Sequence, residues 1–365
     1  MSVTYKASGA FRKDLEARVA AFFEQTGLAR RDGARMALKT LTILAWLATS
    51  YAALVFLATA RWQAVPLAIS LALAMAGVGF CVMHDGNHGA YSSHRWLNKS
   101  ASLSLNLLGG CAYFWHFKHN IAHHSYTNVT GSDPDFDVGP AGRLSPQDPH
   151  HRFHRLQHIY IWGLYAMLAI EWQTTGDFRT MVKPGVADTP YARPRGWEQV
   201  FFWVGKALFY TLAFVVPLLR HRLLSVLGIY LLTGVVLGLT LAIVFQLAHC
   251  VQEASFPAPA PGTRRMECEW FAHQVETTVD FARGNRLLTW YLGGLNFQIE
   301  HHLFPKVCHL HYPALAPIVE EVCRSHGVRY ASHPRMRDAL RSHVRFLKKL
   351  GSGAPTGQVD LDLAA

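Results

Sequence analysis

Histidine is unusually abundant in this chain, 21 of 365 residues, and several of the rings fall at spacings that chemistry can use. His84-Asp85-Gly86-Asn87-His88 sets two imidazoles at i and i+4, the separation that puts side chains on one face of a helix. A second cluster, Trp115 to His124, holds His119 and His123 on one face, whereas a regular α-helix turns His124 away from them by roughly 140°. In the third, Gln298-Ile299-Glu300-His301-His302, the i, i+3 and i+4 positions gather Gln298, His301 and His302 on one side. His249 stands alone at the end of a long apolar run.

Imidazole ligates Zn, Cu, Fe and Ni. The eight rings at 84, 88, 119, 123, 124, 249, 301 and 302 exceed the four positions of a structural zinc and the six of one octahedral ion, so two metal ions follow more naturally than one. No HExxH motif and no Ser-His-Asp or Cys-His arrangement is present, and hydrolysis therefore lacks its usual parts. A histidine-rich, dinuclear, membrane-bound centre points to oxygen-activating iron. His94, His150, His151, His154, His158, His273, His309 and His311 share none of these patterns and read as structural.

The elements that must position the clusters are apolar. Charged residues make up 16% of the chain, against roughly 25% in an ordinary soluble domain. Thr40 to Ala60 and Ala64 to Met83 are charge-free runs of 21 and 20 residues, and Leu223 to Ala248 is one of 26. Val200 to Leu219 carries a single charge, Lys206. Each is long enough to cross ~30 Å of hydrocarbon. The expected fold is therefore an all-α integral membrane protein. Its four transmembrane helices (about 40–60, 64–83, 200–219 and 223–248) form two hairpins beneath a cytoplasmic helical cap that holds the histidines.

Lys and Arg set the orientation. Residues 1–39 carry eight, 84–198 ten and 250–365 thirteen, while the two short turns hold only Arg61, Arg220 and Arg222. Both termini and the metal site are thus expected on the cytoplasmic side of a membrane, the bacterial inner membrane in this reading. The 26-residue fourth run, at about 39 Å, overshoots the hydrocarbon and carries Gln246 and His249 toward the other clusters. Ala101 to Trp115 and Leu287 to Ile299 are too short to span and should lie at the interface or dip in and return. Each contains Leu-Gly-Gly ahead of a histidine cluster.

The domain reading is a cytoplasmic segment 1–39, a membrane domain 40–325, and a cytoplasmic tail 326–365 that is disordered from Gly351 on. A net charge of +11 without a basic stripe of interleaved aromatics argues against nucleic acid. Six cysteines with no CxxC pair indicate neither a zinc ribbon nor a disulfide framework and fit a reducing compartment. A signal peptide is not expected.

HDGNH, HNIAHH with the following Ser125-Tyr126-Thr127-Asn128 and Asp133-Pro134-Asp135, and QIEHHLFP resemble the three histidine boxes of the membrane fatty acid desaturase family. The resemblance runs from about residue 40 to 325 and is closest to bacterial linoleoyl-CoA-desaturase-like and front-end acyl-lipid desaturases. It implies a non-haem di-iron centre held by His84, His88, His119, His123, His124, His249, His301 and His302, with O2 as oxidant. Two hydrogens would leave adjacent carbons of an acyl-lipid, acyl-CoA or acyl carrier protein substrate. Gln298 occupies the place of a further ligand histidine in related desaturases, and Phe245 that of an iron-holding asparagine, for which Gln246 is the nearby polar substitute. Residues 1–39 contain no histidine and are too short for the fused haem domain of some front-end relatives. Electrons are therefore expected from a separate ferredoxin or cytochrome-b-type donor with its reductase.

Metal-bound imidazoles donate their second N–H to an acceptor that fixes ring and tautomer. Asp85, Asn120, Asp133, Asp135 and Glu300 lie beside cluster histidines, and Asp85 and Glu300 are expected in that role. The acyl chain demands an apolar tunnel, for which Tyr113, Phe114, Trp115, Trp290, Tyr291 and Phe297 are candidate walls. Lys118, Arg152, Arg155 and Lys183 are candidate contacts for a phosphate-bearing carrier or an acidic donor. A hydroxylase, ketolase or acetylenase built on the same scaffold is the alternative, separable by product mass. A metal transporter would place polar ligands inside the spans, whereas here the clusters begin where the apolar runs stop.

Overall fold

A computed structural model describes residues 3–31, 33–185, 187 and 189–353. Thirteen helical elements carry the argument: α1 Ala10–Thr26, α2 Gly33–Leu57, α3 Arg61–His88, α4 Arg95–Leu107, α5 112–126, α6 157–182, α7 Trp197–Leu218, α8 Leu223–His249, α9 Trp270–Glu276, α10 Arg286–Tyr291, α11 Gln298–Leu303, α12 Tyr312–Ser325 and α13 Met336–Gly351. Four of them, α2, α3, α7 and α8, are long and apolar enough to cross a membrane. They match the four runs read from the sequence, with α3 continuing through the whole HDGNH motif rather than stopping before it.

Three of the spans share one core. Ile43 of α2, Ala72 and Ala76 of α3, and Leu237, Leu241 and Leu247 of α8 are buried together, joined by Leu292 and Leu295 from the turn before α11. Small residues at the contacts let the backbones approach, as helices in lipid require. The single charge of the third span is tethered inside the fold. Lys206 Nζ donates to Gly109 O at 2.6 Å, to Asp177 Oδ2 at 2.9 Å and to Trp172 O at 3.0 Å, tying α7 to α6 and to the turn between α4 and α5.

Two glycines explain why the Leu-Gly-Gly echo and the first histidine motif look as they do. A Cβ on Gly86 would lie 2.6 Å from the Ala101 Cβ and the Ser102 N, so only glycine lets α4 dock against the His84–His88 turn. Gly293 has φ +60°, and a Cβ there would strike the Phe80 carbonyl of α3. That contact seats the turn before α11 directly on the helix that carries His84.

Three features depart from the sequence reading. Residues 157–171, not counted among the spans, form an apolar helix that runs antiparallel along α8: Ile161 and Tyr165 pack with Ala242, Ile170 meets Gly234, and Gln173 Oε1 accepts from Tyr230 at 3.1 Å. Leu156, Ile159 and Met167 remain on its exposed side. The stretch expected as a tail contains α13, bound into the body by Arg143 Nη1 to Leu350 O at 2.9 Å and Gln157 Nε2 to Leu347 O at 2.8 Å. Residues 354–365 of that tail lie outside the described residues. At the other end, Phe11 and Leu15 of α1 share a core with Val319 and Val322 of α12, packing that the sequence reading did not foresee. Two short parallel strand pairs, Thr4–Lys6 with Arg265–Glu269 and Asp280–Phe281 with Ser332–His333, join segments far apart in sequence. Among the described residues none of the six cysteines is in a disulfide.

Candidate metal centre

The eight singled-out histidines, separated by up to 218 positions (84 to 302), converge in one buried cluster. His84, His88, His119 and His301 form one group and His123, His249 and His302 a second, and within each group the candidate ligand atoms lie within 4.8 Å of one another. His124 joins His301 and His302 in a third set that spans the two groups. The rings nest closely: His84–His301 at 4.4 Å between centroids, His124–His302 at 4.3 Å and His123–His249 at 4.7 Å.

The position of His124 corrects the sequence expectation. Residues 116–123 wind as a π-helix, whose i to i+5 hydrogen bonding brings a residue back over the one five positions earlier. His124 therefore returns over His119, their Nε2 atoms 3.3 Å apart, instead of turning away. A second π turn, Gly79–Met83, sets the register of α3 just before His84. On α11, Gln298, His301 and His302 do share the inward face; the Gln298 Nε2 lies 3.0 Å from the His249 Nε2 and 3.3 Å from the His302 Nε2.

The chemistry of the cluster fits metal. The Nε2 atoms of His84, His88 and His301 and the Nδ1 atoms of His124 and His249 are buried and have no hydrogen-bond partner within the described residues. Each such orphan costs about 1–3 kcal/mol unless something else receives it. Two imidazole nitrogens held at about 2.1 Å on one ion at near right angles stand roughly 3 Å apart, close to the spacing His119 and His124 show. Burial, with the charges of neighbouring rings, drives His124, His301 and His302 well below the ordinary imidazole range, and His119 to about 3. They are thus neutral, with lone pairs free to donate. His123 differs: burial opposes its charge, but Asp133 and Asp135 outweigh burial and raise it.

Four of the second nitrogens find partners in a surrounding shell. His123 Nδ1 donates to Asp133 at 2.9 Å, His119 Nδ1 to Asp135 Oδ2 at 3.1 Å and His302 Nδ1 to Gln274 Oε1 at 2.8 Å, while His301 Nδ1 lies 3.3 Å from the Tyr312 hydroxyl. Asp133 in turn accepts from the Asn128 and Asp135 amides at 2.9 Å, so the Asn128 and Asp133-Pro134-Asp135 motifs form one brace. Asp85 stands behind the first motif with its Oδ1 4.0 Å from the His84 Nδ1, beyond hydrogen-bond distance, and its Oδ2 accepts from the His309 Nδ1 at 2.9 Å. Glu300 does not play the expected part. It sits about 180° around α11 from the inward face, and it accepts from the Tyr330 hydroxyl at 2.9 Å beside Asp280 instead of from a cluster ring. Asn120 donates to the Asn87 carbonyl at 2.9 Å. Gln274 and Tyr312 were invisible in the sequence, because nothing about their local pattern places them next to rings far along the chain.

An apolar pocket of about 30 Å³ opens beside His84, lined by Met75, Phe80, Met83, Trp115, Leu241 and Phe245 among others. It shares Met75, Leu108, Gln173 and Leu237 with a cavity of about 790 Å³ between α2, α3, α7 and α8. Of the six aromatics named as tunnel walls, Trp115 lines the pocket. Tyr113 and Phe114 pack against Tyr191, Phe297 packs with Val307 and Tyr312, Trp290 stacks with Lys39, and the Tyr291 hydroxyl donates to Leu73 O at 2.9 Å. Phe245, at the asparagine position, is an apolar wall; the adjacent Gln246 is buried with its Oε1 unpartnered. Lys118 pairs with Asp135 at 3.3 Å, placing that cation against the acceptor of His119.

Comparison with known proteins gives the same direction as the geometry. The fatty acid desaturase family profile matches residues 60–334. The chain is 37% identical to the sn-1 linoleoyl-lipid 6-desaturase of Arthrospira platensis, over 98% of this chain and 97% of that protein. It is 34% identical to the enzyme of the same name from Synechocystis, over 94% of this chain and 96% of that protein, and 36% identical to an acyl-lipid (8-3)-desaturase of Physcomitrium patens, over 92% and 70%. With the buried histidine clusters and the apolar spans in view, the chain belongs to the fatty acid desaturase family: it is a membrane oxidoreductase that desaturates acyl chains.

Proposed function

We propose that this enzyme is an acyl-lipid desaturase whose His84, His88, His119, His123, His124, His249, His301 and His302 hold two iron ions. The observation that carries the reading is the pair of adjacent, buried imidazole groups with a lipophilic pocket opening at one of them. When bound, the iron pair would supply, with O2 and two electrons from a redox partner, the oxidising power that an unactivated C–H bond demands.

The chain's own residues do the rest. Met83, Trp115 and Phe245 present a chain segment beside His84, and the cavity beyond Met75 receives the remainder of the acyl tail. Asp133, Asp135, Gln274 and Tyr312 hold the rings in the tautomers that aim their lone pairs inward. The burial of all eight rings excludes bulk water from the reacting carbons. Gln298 faces two rings of the second group and completes its edge.

Relatives named linoleoyl-lipid 6-desaturases support an acyl-lipid substrate and a new double bond toward its carboxyl end. The Lys and Arg distribution supports two hairpins in a bacterial inner membrane, with both termini and the metal site cytoplasmic. The test is expression in a bacterium without such an activity, followed by mass spectrometry of fatty acid methyl esters. A product lighter by two hydrogens, absent with His301→Ala, is expected. A product heavier by one oxygen would identify a hydroxylase instead.

A further inference from the structure

His309 belongs to none of the histidine motifs, yet it is 2% exposed and bridges two buried charges, Lys39 and Asp85, from far along the sequence. Its Nδ1 lies 2.9 Å from Asp85 Oδ2 and its Nε2 lies 2.7 Å from the Lys39 Nζ of α2. Lys39 is itself 4% exposed, with its ammonium over the Trp290 ring at 5.3 Å. An ammonium can only donate, so the His309 Nε2 must accept; the ring proton is then on Nδ1 and is given to Asp85. The other oxygen of Asp85 faces the His84 Nδ1 at 4.0 Å, and the His84 Nε2 on the far side of that ring points unpartnered into the cluster. Cys308, Asp85 and His309 group as three candidate metal ligands, but the Lys39 ammonium takes the His309 lone pair. Lys39, His309 and Asp85 therefore form a hydrogen-bonded chain and not another metal site.

A buried carboxylate is expensive unless a counter-charge and hydrogen bonds compensate it. Lys39, acting through a neutral imidazole, supplies that compensation without competing for the Asp85 oxygen that faces His84. We propose that Lys39 and His309 are positioning residues which, through Asp85, fix the ring of His84 and so set the affinity of the first imidazole group for its metal ion. The inference rests on the eight histidines holding two ions, as proposed above.

The test is metal binding by the full-length protein in detergent, using Fe(II) and Co(II) in competition with a chelator, with the Co(II) ligand-field absorption as the spectroscopic signature. His309→Ala is expected to weaken one of two ions by about 10–100-fold and to shift its absorption. Lys39→Met should act in the same direction, and His309→Gln, whose amide both accepts and donates, should recover most of the affinity. Should His309→Ala fail to fold, Lys39→Met carries the comparison, since it leaves the His309–Asp85 hydrogen bond in place. Variants that melt like the parent and bind both ions with the parent's affinity and spectrum would overturn the relay while leaving the two-ion reading intact. A parent protein that binds fewer than two ions would overturn that reading, and the relay with it.

Discussion

The two imidazole groups are built differently. The group of His84, His88, His119 and His301 meets the apolar pocket at His84, and the acceptor behind His119 is the partly exposed Asp135 paired with Lys118. His123, His249 and His302 lie away from that pocket, backed by the fully enclosed Asp133, by Gln274 and by Gln298. In the proposed reading the first group is placed to meet substrate and the second to hold its ion. One centre divides its demands between an open side and a closed one.

Removing a ring should produce the largest effect on either side. His301→Ala and His249→Ala are each expected to lower conversion more than about hundredfold, measured by methyl-ester analysis. The comparison is sharpened by metal content, because His249→Ala should empty only the second group. Equal loss of both ions from His249→Ala would show that the groups do not act separately.

Next come the acceptors. Asp133→Ala leaves the His123 N–H without its buried partner and should weaken the second group's ion by about 10–100-fold. Asp135→Ala should cost the first group less, because Asp135 is 27% exposed and water can replace it at His119. Chelator competition on the two variants checks the order, and a larger loss for Asp135→Ala would reverse the assignment of open and closed sides.

The pocket gives a selective effect. Met75 is shared by the small pocket at His84 and the large cavity, so Met75→Trp should narrow the passage between them. Conversion of long chains is expected to fall about tenfold relative to shorter ones, with metal content unchanged. A chain-length profile of products from mixed acyl lipids measures it.

The smallest effect concerns pH. Burial pushes both His273 and His343 down to about 4, against about 6.5 when unfolded. Between those values the unfolded chain binds more protons, so stability is complete above the unfolded value and declines as pH falls through it. Acidification from about pH 7 to 6 should cost less than about 1 kcal/mol per ring, and the decline should continue toward 4. Thermal melts of the metal-free protein at the two pH values check the sign; a higher melting temperature at the lower pH would contradict it.

What the sequence made legible was what repeats or persists locally. Four apolar runs gave four long helices because hydrocarbon leaves an uninterrupted stretch few alternatives. The i, i+4 spacing of His84 and His88 and the i, i+3, i+4 pattern of α11 gave ring faces that the structure keeps. His124 was misplaced because periodicity assumes a regular helix, and the π turn at 116–123 is decided by what those rings pack against. Glu300 was assigned by adjacency, although one residue along a helix turns a side chain by about 100°. Gln274, Tyr312, Lys39 and His309 act from distant segments, where tertiary contact alone sets their roles. Helix α13 lacks the length and hydropathy that mark a span, so it was legible only through its packing on Tyr165 and Cys250 by way of His343.

The central claim is that two imidazole groups each hold an iron. Iron counting on the purified, full-length protein and on its His249→Ala variant tests this most directly. The account predicts about two ions per chain in the parent and about one in the variant, with the remaining ion held by the His84 group. A catalytically active parent with one ion or none, or a variant that retains the full complement, would contradict it.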